Sequence, residues 1–437
     1  MNILFSTISA PEKSPFCTIE KRPPLGLGML LSITRNAGHN VYFTDNYLTG
    51  KKEISLPFLL ENNIDTIAIY CCTICFKEVL HVLQTLHQYR EEGLWQGKII
   101  TGGPHAMVLP DSFPAYVDHI VIGEGDEVIV DIIEGRCKER IITPTRLKNL
   151  DNLPFQPWDI FTTLPYDWTC VWFEGQKVFT LNTSRGCPFH CTFCSACSIW
   201  GKRYSAMSAE RIFHEIKYLY DTYHLDGVYF REDNFTINHN RVIDLCNLLI
   251  KNDIKISWAC ECGINTLNEN IIQLMSQAGC KAVYLGVESG SQKMLDIMNK
   301  KITLKNIYHI SKILKKYEIN RYFSMIVGLP GENYLDFLKT RWMVSRLKPE
   351  SVGYNIFVGL PGSDLYEELS KSKKYEYMDE LGLYYMPGYD IKCEYFYGLD
   401  SKKLVDYEFQ KRTCYDYCLL LEKKIHQHVH RIFPRIF

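Results

Sequence analysis

Three cysteines with the spacing C-x3-C-x2-C stand in one short segment, Arg185-Gly186-Cys187-Pro188-Phe189-His190-Cys191-Thr192-Phe193-Cys194. The segment follows a β-rich run at 178–183, so we predict a tightly curled loop at the end of a strand. Cysteine thiolates are the ligands of iron–sulfur clusters, and a [4Fe–4S] cluster takes four of them. A loop with three cysteines therefore leaves one iron without a protein ligand, and a small molecule can bind there.

Two other interpretations of these cysteines remain open at this point. Cys197 could supply the fourth thiolate of a structural zinc site, although zinc loops usually pair two C-x2-C elements across a long gap. A disulfide, or thiols packed in the protein interior, is the simplest alternative. The spacing favours the cluster.

At these residues the chain resembles the radical S-adenosylmethionine (radical SAM) superfamily, whose signature is C-x3-C-x2-C with an aromatic residue before the last cysteine. Phe193 is that residue here. The resemblance implies that Cys187, Cys191 and Cys194 hold three irons of a [4Fe–4S] cluster, while the amino and carboxylate groups of S-adenosylmethionine (SAM) bind the fourth. One electron from the cluster would then cleave SAM to methionine and a 5′-deoxyadenosyl radical. The resemblance also implies an electron donor such as flavodoxin or ferredoxin.

The composition is that of an ordinary soluble globular protein, with 437 residues of which 46% are hydrophobic and 23% charged. This length predicts two or three domains. A net charge of −1 gives no reason to expect nucleic acid or a membrane surface as a partner. The N-terminus lacks the features of a signal peptide, and no apolar run is long enough to span a bilayer. We therefore expect a cytoplasmic protein whose 17 cysteines stay reduced.

Residues 1–145 are predicted to form an α/β domain around a doubly wound parallel sheet. Strands are expected at 2–6, 40–44, 66–70, 98–101 and 119–122, and helices at 25–37 and 77–92. Helices of this length between strands are typical of parallel βαβ crossovers. Ligands of such sheets bind beyond the carboxyl ends of the strands.

Glycine-rich turns follow two of these strands, Gly102-Gly103-Pro104-His105 after the fourth and Gly123-Glu124-Gly125 after the fifth. Such glycines either close tight turns or let the backbone approach a bulky ligand. Together the segments resemble the Rossmann-like cobalamin-binding domain that precedes the barrel in one radical SAM subfamily. The resemblance implies that these seven residues, and Thr73 after the third strand, contact the cobalamin.

The histidine that ligates cobalt in base-off cobalamin domains is missing here. Those domains carry D-x-H-x-x-G, and the matching stretch is Asp45-Asn46-Tyr47-Leu48-Thr49-Gly50. A neutral phenol with a pKa of about 10 is a poor cobalt ligand. We therefore expect either cobalamin without imidazole on its lower face or an empty domain.

Other cysteines are candidates for a second metal centre. Cys72 and Cys75 follow the third strand, where they either line the pocket or bind a metal. Residues 401–431 are predicted to form a long helix on which Cys414 and Cys418 share a face, and Cys393 could join them in an auxiliary cluster.

Residues 177–365 repeat the alternation of strand and helix. Strands are expected at 227–230, 256–259, 282–287, 322–327 and 351–357, and helices at 207–223, 241–251, 268–278, 304–316 and 334–347. With the strand that leads into the cysteine segment the count is six, which predicts a partial (β/α)6 barrel rather than a closed eight-stranded one. The reactive groups of such barrels line the carboxyl ends of the strands.

Polar residues fall at those strand ends. By resemblance to radical SAM barrels, Glu288, Ser289 and Ser291 would reach the ribose or methionine part of SAM, and Asp233 would lie near its methionine end or the substrate. Gly328 would let the backbone approach the adenosyl group. The family's Gly-Gly-Glu is replaced by Arg-Glu-Asp at 231–233. An acid at such a position is alternatively a helix cap.

Cys260 and Cys262 end the third barrel strand and share one face of it, because side chains alternate along a strand. Facing a radical centre, they would donate a hydrogen atom or bind an extra cluster, so with Asp233 they are the candidate catalytic residues. Packed thiols are the alternative.

The sequence thus predicts a cobalamin-type domain at 1–145, a linker at 146–176, a radical SAM barrel at 177–365 and a helical, aromatic segment at 366–437. In this subfamily the leading activity is methyl transfer to an unactivated carbon, or to phosphorus, of a small molecule. One alternative is a radical-driven dehydration, cyclisation or epimerisation with an empty α/β domain. Another is a non-catalytic iron–sulfur or zinc protein.

Overall fold

The computed structural model describes residues 1–10, 21–175 and 177–371, together with the backbone of 386–387. The predicted helix at 401–431 and the candidate ligands Cys393, Cys414 and Cys418 lie outside the described residues. Within the described part of the chain, each helix is too short or too polar to cross a lipid bilayer.

The N-terminal part of the chain folds around a parallel sheet of six strands. These are β1 (Asn2–Thr7), β2 (Asn40–Asp45), β3 (Thr66–Tyr70), β4 (Lys98–Gly102), β5 (His119–Val121) and β6 (Ile141–Ile142). Their order in the sheet is β2-β1-β3-β4-β5-β6, and each pairing is parallel. The doubly wound fold is confirmed. The sequence missed β6, which is too short to show an apolar pattern.

Helices cover both faces of this first sheet. They are α1 (Leu25–Asn36), α2 (Asn46–Thr49), α3 (Leu56–Glu61), α4 (Phe76–Glu91), α5 (Pro104–Val108), α6 (Ile129–Ile133) and, in the linker, α7 (Trp158–Phe161). Alternate residues of β1 separate the two cores. Ile3 and Phe5 pack with α1 and α6, whereas Leu4 packs with α4.

After β7 (Val178–Leu181) the chain makes a short hairpin that encloses the cysteines. Strands β8 (Ser184–Arg185) and β9 (Ser205–Ala206) are antiparallel and pair Ser184 with Ala206. Residues 186–204, which we call the cysteine loop, lie between them and include α8 (Ala196–Trp200). The loop therefore leaves and re-enters the fold at one point.

β7 and five later strands form a second parallel sheet. The later strands are β10 (Gly227–Phe230), β11 (Ser257–Cys262), β12 (Cys280–Glu288), β13 (Asn320–Val327) and β14 (Ser351–Ile356). The order is β14-β13-β12-β11-β10-β7, with β14 and β7 at the two edges. Six parallel strands with two open edges confirm the partial barrel.

Helices follow the strands of this second sheet. They are α9 (Ala209–Tyr223), α10 (His239–Lys251), α11 (Glu269–Gln277), α12 (Gln292–Ile297), α13 (Leu304–Lys316), α14 (Tyr334–Leu347) and α15 (Asp364–Lys371). Two further short strands, β15 (Val358–Gly359) and β16 (Met386–Pro387), pair with each other. Apolar strand residues such as Phe230 and Trp258 join residues of α9 and α10 in one core. The intervening residues, such as Tyr229 and Glu261, line the inside of the barrel.

Candidate active site

The cysteine loop begins beyond the carboxyl end of β7. Gly186 has a φ of +83°, and a Cβ atom there would come within 2.2 Å of the Arg203 carbonyl oxygen, so the position requires glycine. The Thr192 amide donates to the Met298 carbonyl (3.0 Å), and the Thr192 carbonyl accepts from the Leu365 amide (2.9 Å). The loop is thus fastened to segments that follow β12 and β14.

The three predicted ligands lie together in this loop and affect one another electrostatically. Burial raises the pKa of Cys187 and of Cys194 to about 11, and it also raises the pKa of Cys191. The thiols therefore keep their protons at neutral pH until a metal centre displaces them.

Cys197 takes a different position from the other three cysteines. Its sulfur lies 3.2 Å from the Phe189 carbonyl oxygen and 3.4 Å from His190 Nδ1. In the described residues no three His, Cys, Asp or Glu side chains are close enough to share one metal ion.

A mostly buried lysine lies next to these cysteines. Lys300 Nζ is 2.7 Å from Glu288 Oε1 and 5.6 Å from the centre of the Phe193 ring. Gly286 provides the space, because a Cβ there would lie 2.6 Å from Glu288 Oε1 and 2.8 Å from Lys300 Nζ. Burial lowers the pKa of Lys300, but the neighbouring Glu288 and Cys191 raise it by more. Lys300 is therefore a cation at neutral pH.

Asp233 also lies beside the cysteines, beyond the end of β10. Its carboxylate interacts with the Gly186 backbone amide and is close enough to Cys187 and Cys194 to raise the pKa of both thiols. One cation, Lys300, and two carboxylates, Glu288 and Asp233, thus adjoin the thiols, and Lys300 is paired with Glu288. Charges of both signs suit the carboxylate and the ammonium group of an amino acid.

A cavity of about 350 Å³ lies between the first sheet and the cysteine loop. Six of the residues predicted to contact cobalamin line it, namely Gly102, Gly103, Pro104, Gly123, Glu124 and Gly125. The cysteine loop contributes Ile199 and Trp200 to the wall. Most of the remaining lining is apolar. Two lining side chains, Thr101 and Gln156, carry a buried oxygen without a hydrogen-bond partner among the described residues.

Four charged residues, which we call the arginine clamp, join the cavity to the cysteine loop: Glu124, Asp126, Arg146 and Arg185. Glu124 accepts hydrogen bonds from Arg146 Nε (2.8 Å) and Arg185 Nη1 (2.6 Å). Asp126 accepts two more from Arg185, at 2.7 and 3.0 Å. Both acidic side chains are only 5% exposed. Desolvated carboxylates with charged partners fix the position of the loop against the first sheet.

Comparison with known proteins identifies the second sheet and its surroundings. Residues 181–341 match the radical SAM superfamily. The chain contains a radical SAM domain. It is a radical SAM enzyme, and enzymes of this family use a [4Fe–4S] cluster and SAM.

The radical SAM enzyme has relatives that extend beyond this domain. An uncharacterised methyltransferase of Pyrococcus horikoshii is 28% identical over 79% of this chain and 78% of its own length. The radical SAM methyltransferase TsrM from Kitasatospora setae, solved with tryptophan and a SAM analogue, has a TM-score of 0.67 at 14% identity over 85% of this chain and 76% of TsrM. OxsB, solved with aqua-cobalamin and SAM, has a TM-score of 0.65 at 18% identity over 89% of this chain and 57% of OxsB. The two structures establish a shared fold.

Two of the residues predicted to contact cobalamin lie away from the cavity of the radical SAM enzyme. His105 is buried and stacks on Phe76, with 3.8 Å between ring centres. Its two ring nitrogens lie 3.3 Å from Thr73 Oγ1 and 3.0 Å from Ser112 Oγ. Burial lowers the pKa of His105 to about 4. His105 and Thr73 thus stabilise the domain interior and do not form the cavity surface.

Tyr47, which replaces the cobalt-ligating histidine, packs against the apolar core on the α4 side of the sheet. It lies outside the cavity lining. Asp45 of the same stretch accepts hydrogen bonds from Thr7 Oγ1 (2.6 Å) and Tyr166 Oη (2.5 Å). This stretch therefore has a structural part in the domain.

The remaining predicted SAM residues form the loops beyond β12 and β13 of the radical SAM domain. Ser289 Oγ lies 3.2 Å from Thr340 Oγ1, and Ser291 Oγ donates to Asp336 (2.7 Å), so both buried serines tie their loop to α14. Gly328, with a φ of +82°, donates its amide to Glu332 (2.6 Å). These contacts fix the loop shapes, and contact with SAM stays a prediction.

Cys260 and Cys262 do not face the inside of the barrel. Both are buried in the apolar core on the helix-facing side of β11. Glu261, between them, is on the inner face and accepts a hydrogen bond from Tyr229 Oη (2.6 Å). This placement fits packed thiols and not groups that face the reaction site.

Lys300 and the two clamp arginines were not predicted from the sequence. Lys300 follows Glu288 by 12 residues, with a helix between them. The one available signal was Glu288 itself, because a carboxylate at a buried strand end requires a positive or hydrogen-bonding partner. Arg146 and Arg185 are far from their acidic partners in the chain and belong to no motif.

Proposed function

We propose that this radical SAM enzyme is a cobalamin-dependent methyltransferase that acts on an unactivated carbon, or on phosphorus, of a small molecule. The observation that carries the proposal is that the cysteine loop forms one wall of the cavity through Ile199 and Trp200, next to Arg185 of β8. A cofactor in the cavity would therefore lie next to the place where SAM binds. The likeness to a methyltransferase over 79% of the chain supports this proposal.

The donor set around the cysteine loop fits a cluster and SAM. Cys187, Cys191 and Cys194 would hold the cluster, Lys300 would bind the carboxylate of SAM, and Asp233 would bind its ammonium group. When bound, these groups supply the electron and the 5′-deoxyadenosyl radical that removes a hydrogen atom from the substrate. The chain itself places the charges, holds the thiols at their spacing and, through Ser289 and Ser291, fixes the loop that carries Glu288.

The glycine-lined wall of the cavity would receive the tail of a cobalamin. Its glycines allow close approach, and the buried oxygens of Thr101 and Gln156 offer hydrogen bonds to a polar group. No histidine occurs among the described lining residues, so the proposal includes a cobalt without an imidazole from those residues. Methylcobalamin would supply the methyl group.

In this proposal residues 1–145 form the cobalamin-binding domain and residues 177–365 form the radical SAM barrel. The enzyme acts on a small-molecule substrate and receives its electron from a protein of the flavodoxin or ferredoxin type.

The cluster assignment is tested by Cys191→Ala, with Cys197→Ala as its matched control in the same loop. Anaerobically reconstituted Cys191→Ala should lose the broad visible absorbance of the cluster and the formation of 5′-deoxyadenosine from SAM. Cys197→Ala should keep both. Cleavage of SAM by Cys191→Ala would show that the ligands have been assigned wrongly.

Cobalamin binding is tested by purifying the enzyme after incubation with hydroxocobalamin and recording its visible spectrum. Gly102→Leu provides the control, because a Cβ at Gly102 meets its nearest neighbours only at 3.7 Å, so leucine can extend into the cavity. We expect bound corrinoid in the parent enzyme, none in Gly102→Leu, and cluster absorbance in both. SAM cleavage without any bound corrinoid would favour a radical dehydratase, cyclase or epimerase, and an intact cluster without SAM cleavage would favour a non-catalytic protein.

A further inference from the structure

The sequence Cys72-Thr73-Ile74-Cys75 joins β3 to α4 at the carboxyl edge of the first sheet. Residues 73–75 form a single 3-10 turn, in which the Cys75 amide donates to the Cys72 carbonyl (3.1 Å). This turn brings the two sulfur atoms to 3.3 Å from each other. A disulfide bond has an S–S length of about 2.05 Å. Side-chain rotation therefore has to bring the two sulfur atoms closer by about 1.2 Å.

The two thiols differ in their access to solvent. Cys75 is 1% exposed, whereas Cys72 is partly exposed. An external reagent therefore meets Cys72 first, and Cys75 lies behind it within reach of the same sulfur. Thiol–disulfide exchange needs an accessible attacking sulfur and a second sulfur within its reach, and the two cysteines provide this arrangement.

We propose that Cys72 and Cys75 form a thiol–disulfide exchange site that reacts with low-molecular-weight disulfides such as glutathione disulfide. This site is separate from the cluster ligands and does not depend on the proposed methyl transfer. In the first step the Cys72 thiolate attacks glutathione disulfide, forming a mixed disulfide at Cys72 and releasing one glutathione thiolate. In the second step the Cys75 thiolate attacks Cys72 Sγ, forming the internal disulfide and releasing the second glutathione.

The exchange balances without any other reactant. The two cysteines lose two electrons and two protons, and the oxidant becomes two molecules of glutathione. The hydrogen bond between the thiols, together with burial, raises the pKa of Cys72, so thiolate is scarce and the reaction is slow at neutral pH. We therefore expect the Cys72–Cys75 disulfide to form and to be reduced slowly.

The third cysteine of the segment, Cys71, is the competing partner, because its side chain also hydrogen-bonds to that of Cys75. Cys71 is fully buried and lies at the end of the strand, where its carbonyl accepts the His105 amide (3.1 Å). Its sulfur lies 3.7 Å from the Cys72 carbonyl oxygen. Cleavage after Lys52 and Lys77 releases one peptide that carries all three of these cysteines.

The test treats the complete, anaerobically purified protein with glutathione disulfide and then unfolds it in guanidinium chloride with excess N-ethylmaleimide, so that buried thiols are also blocked. The tryptic peptide 53–77 is then weighed. We expect a peptide lighter by two hydrogens with one maleimide, on Cys71, and dithiothreitol before blocking should restore three maleimides. Cys71→Ser should form the same disulfide. Cys75→Ser should stop at the mixed disulfide on Cys72.

Three outcomes would overturn the proposal. The first is three maleimides after oxidation, and the second is a disulfide that uses Cys71 in the parent protein. The third is a peptide resistant to maleimide without loss of two hydrogens, accompanied by bound zinc or iron, because that result would assign these cysteines to a metal.

Discussion

Replacing Arg146 by methionine removes the charge at the centre of the arginine clamp and keeps most of the side-chain volume. Arg146 pairs with Glu124 and also donates to three carbonyl groups at the base of the cysteine loop. These are the carbonyls of Arg185, just before the loop, and of Trp200 and Arg203 within it, at 2.5, 3.1 and 3.0 Å. The substitution leaves these carbonyls without their donor. It also leaves Glu124, whose side chain is 5% exposed, with Arg185 as its one remaining clamp partner.

The expected loss of stability follows from these contacts. Removing one partner of a buried ion pair costs about 3–5 kcal/mol. Because Glu124 keeps Arg185, we expect the lower end of that range, about 3 kcal/mol. The matched control is Arg136→Met, whose ion pairs with Asp131 and Glu134 involve side chains that are 31–55% exposed. A pair of that kind is worth less than about 1 kcal/mol.

Urea unfolding of both variants under anaerobic conditions, followed by circular dichroism, measures the difference. Arg146→Met should shift the midpoint to lower urea by clearly more than Arg136→Met, and it should also retain less iron after reconstitution, because the cysteine loop loses three of its anchors. Equal shifts for the two variants, with equal iron content, would refute the role given to the clamp.

Three further predictions concern single side chains. Lys300→Met should weaken SAM binding at least tenfold in equilibrium dialysis while cluster absorbance is kept, and unchanged affinity would exclude Lys300 from the SAM site. Burial raises the pKa of Glu332 to about 7, so the folded state holds the proton of this carboxyl group more tightly than the unfolded state does. The stability that protonated Glu332 contributes is present below pH 4.5. About 3 kcal/mol of it is lost as pH rises to about 7. The stability of the parent relative to Glu332→Gln should therefore fall across that window in urea titrations, and a flat difference would contradict it. Burial lowers the pKa of His105 to about 4, so the contribution of neutral His105 to stability is present above pH 6.5 and is lost as pH falls towards 4. The stability of the parent relative to His105→Gln should therefore fall by a similar amount towards low pH. A constant difference would show that His105 is not buried as a neutral ring.

Apart from β6, the strands of both sheets could be predicted because each is a short apolar run that ends in glycine or polar residues. Gly102-Gly103 and Gly123-Glu124-Gly125 were placed at the cavity for the same reason, since the carboxyl ends of neighbouring parallel strands share one edge. His105 could not be distinguished from them in the sequence. It follows the paired glycines directly, but the first turn of α5 directs its ring into the core.

Ion pairs between residues that are distant in the chain could not be predicted from the sequence. Glu124 was assigned to the ligand, yet both of its oxygens are taken by arginines from the linker and the cysteine loop. Alternation along β11 correctly separated Glu261 from Cys260 and Cys262. Which face of β11 packs against the helices depends on the direction in which the sheet curves. That direction cannot be predicted from the sequence of a six-residue strand.

The pairing of β8 with β9 has a consequence for how tightly iron is held. Closing a loop as long as 186–204 costs chain entropy of about 3 kcal/mol, and the backbone hydrogen bonds of the hairpin offset part of that cost. The free energy of iron binding to the cysteines is therefore not reduced by the full entropy of bringing the loop ends together. A substitution that weakens the hairpin should lower the iron content after reconstitution even though every cysteine is kept.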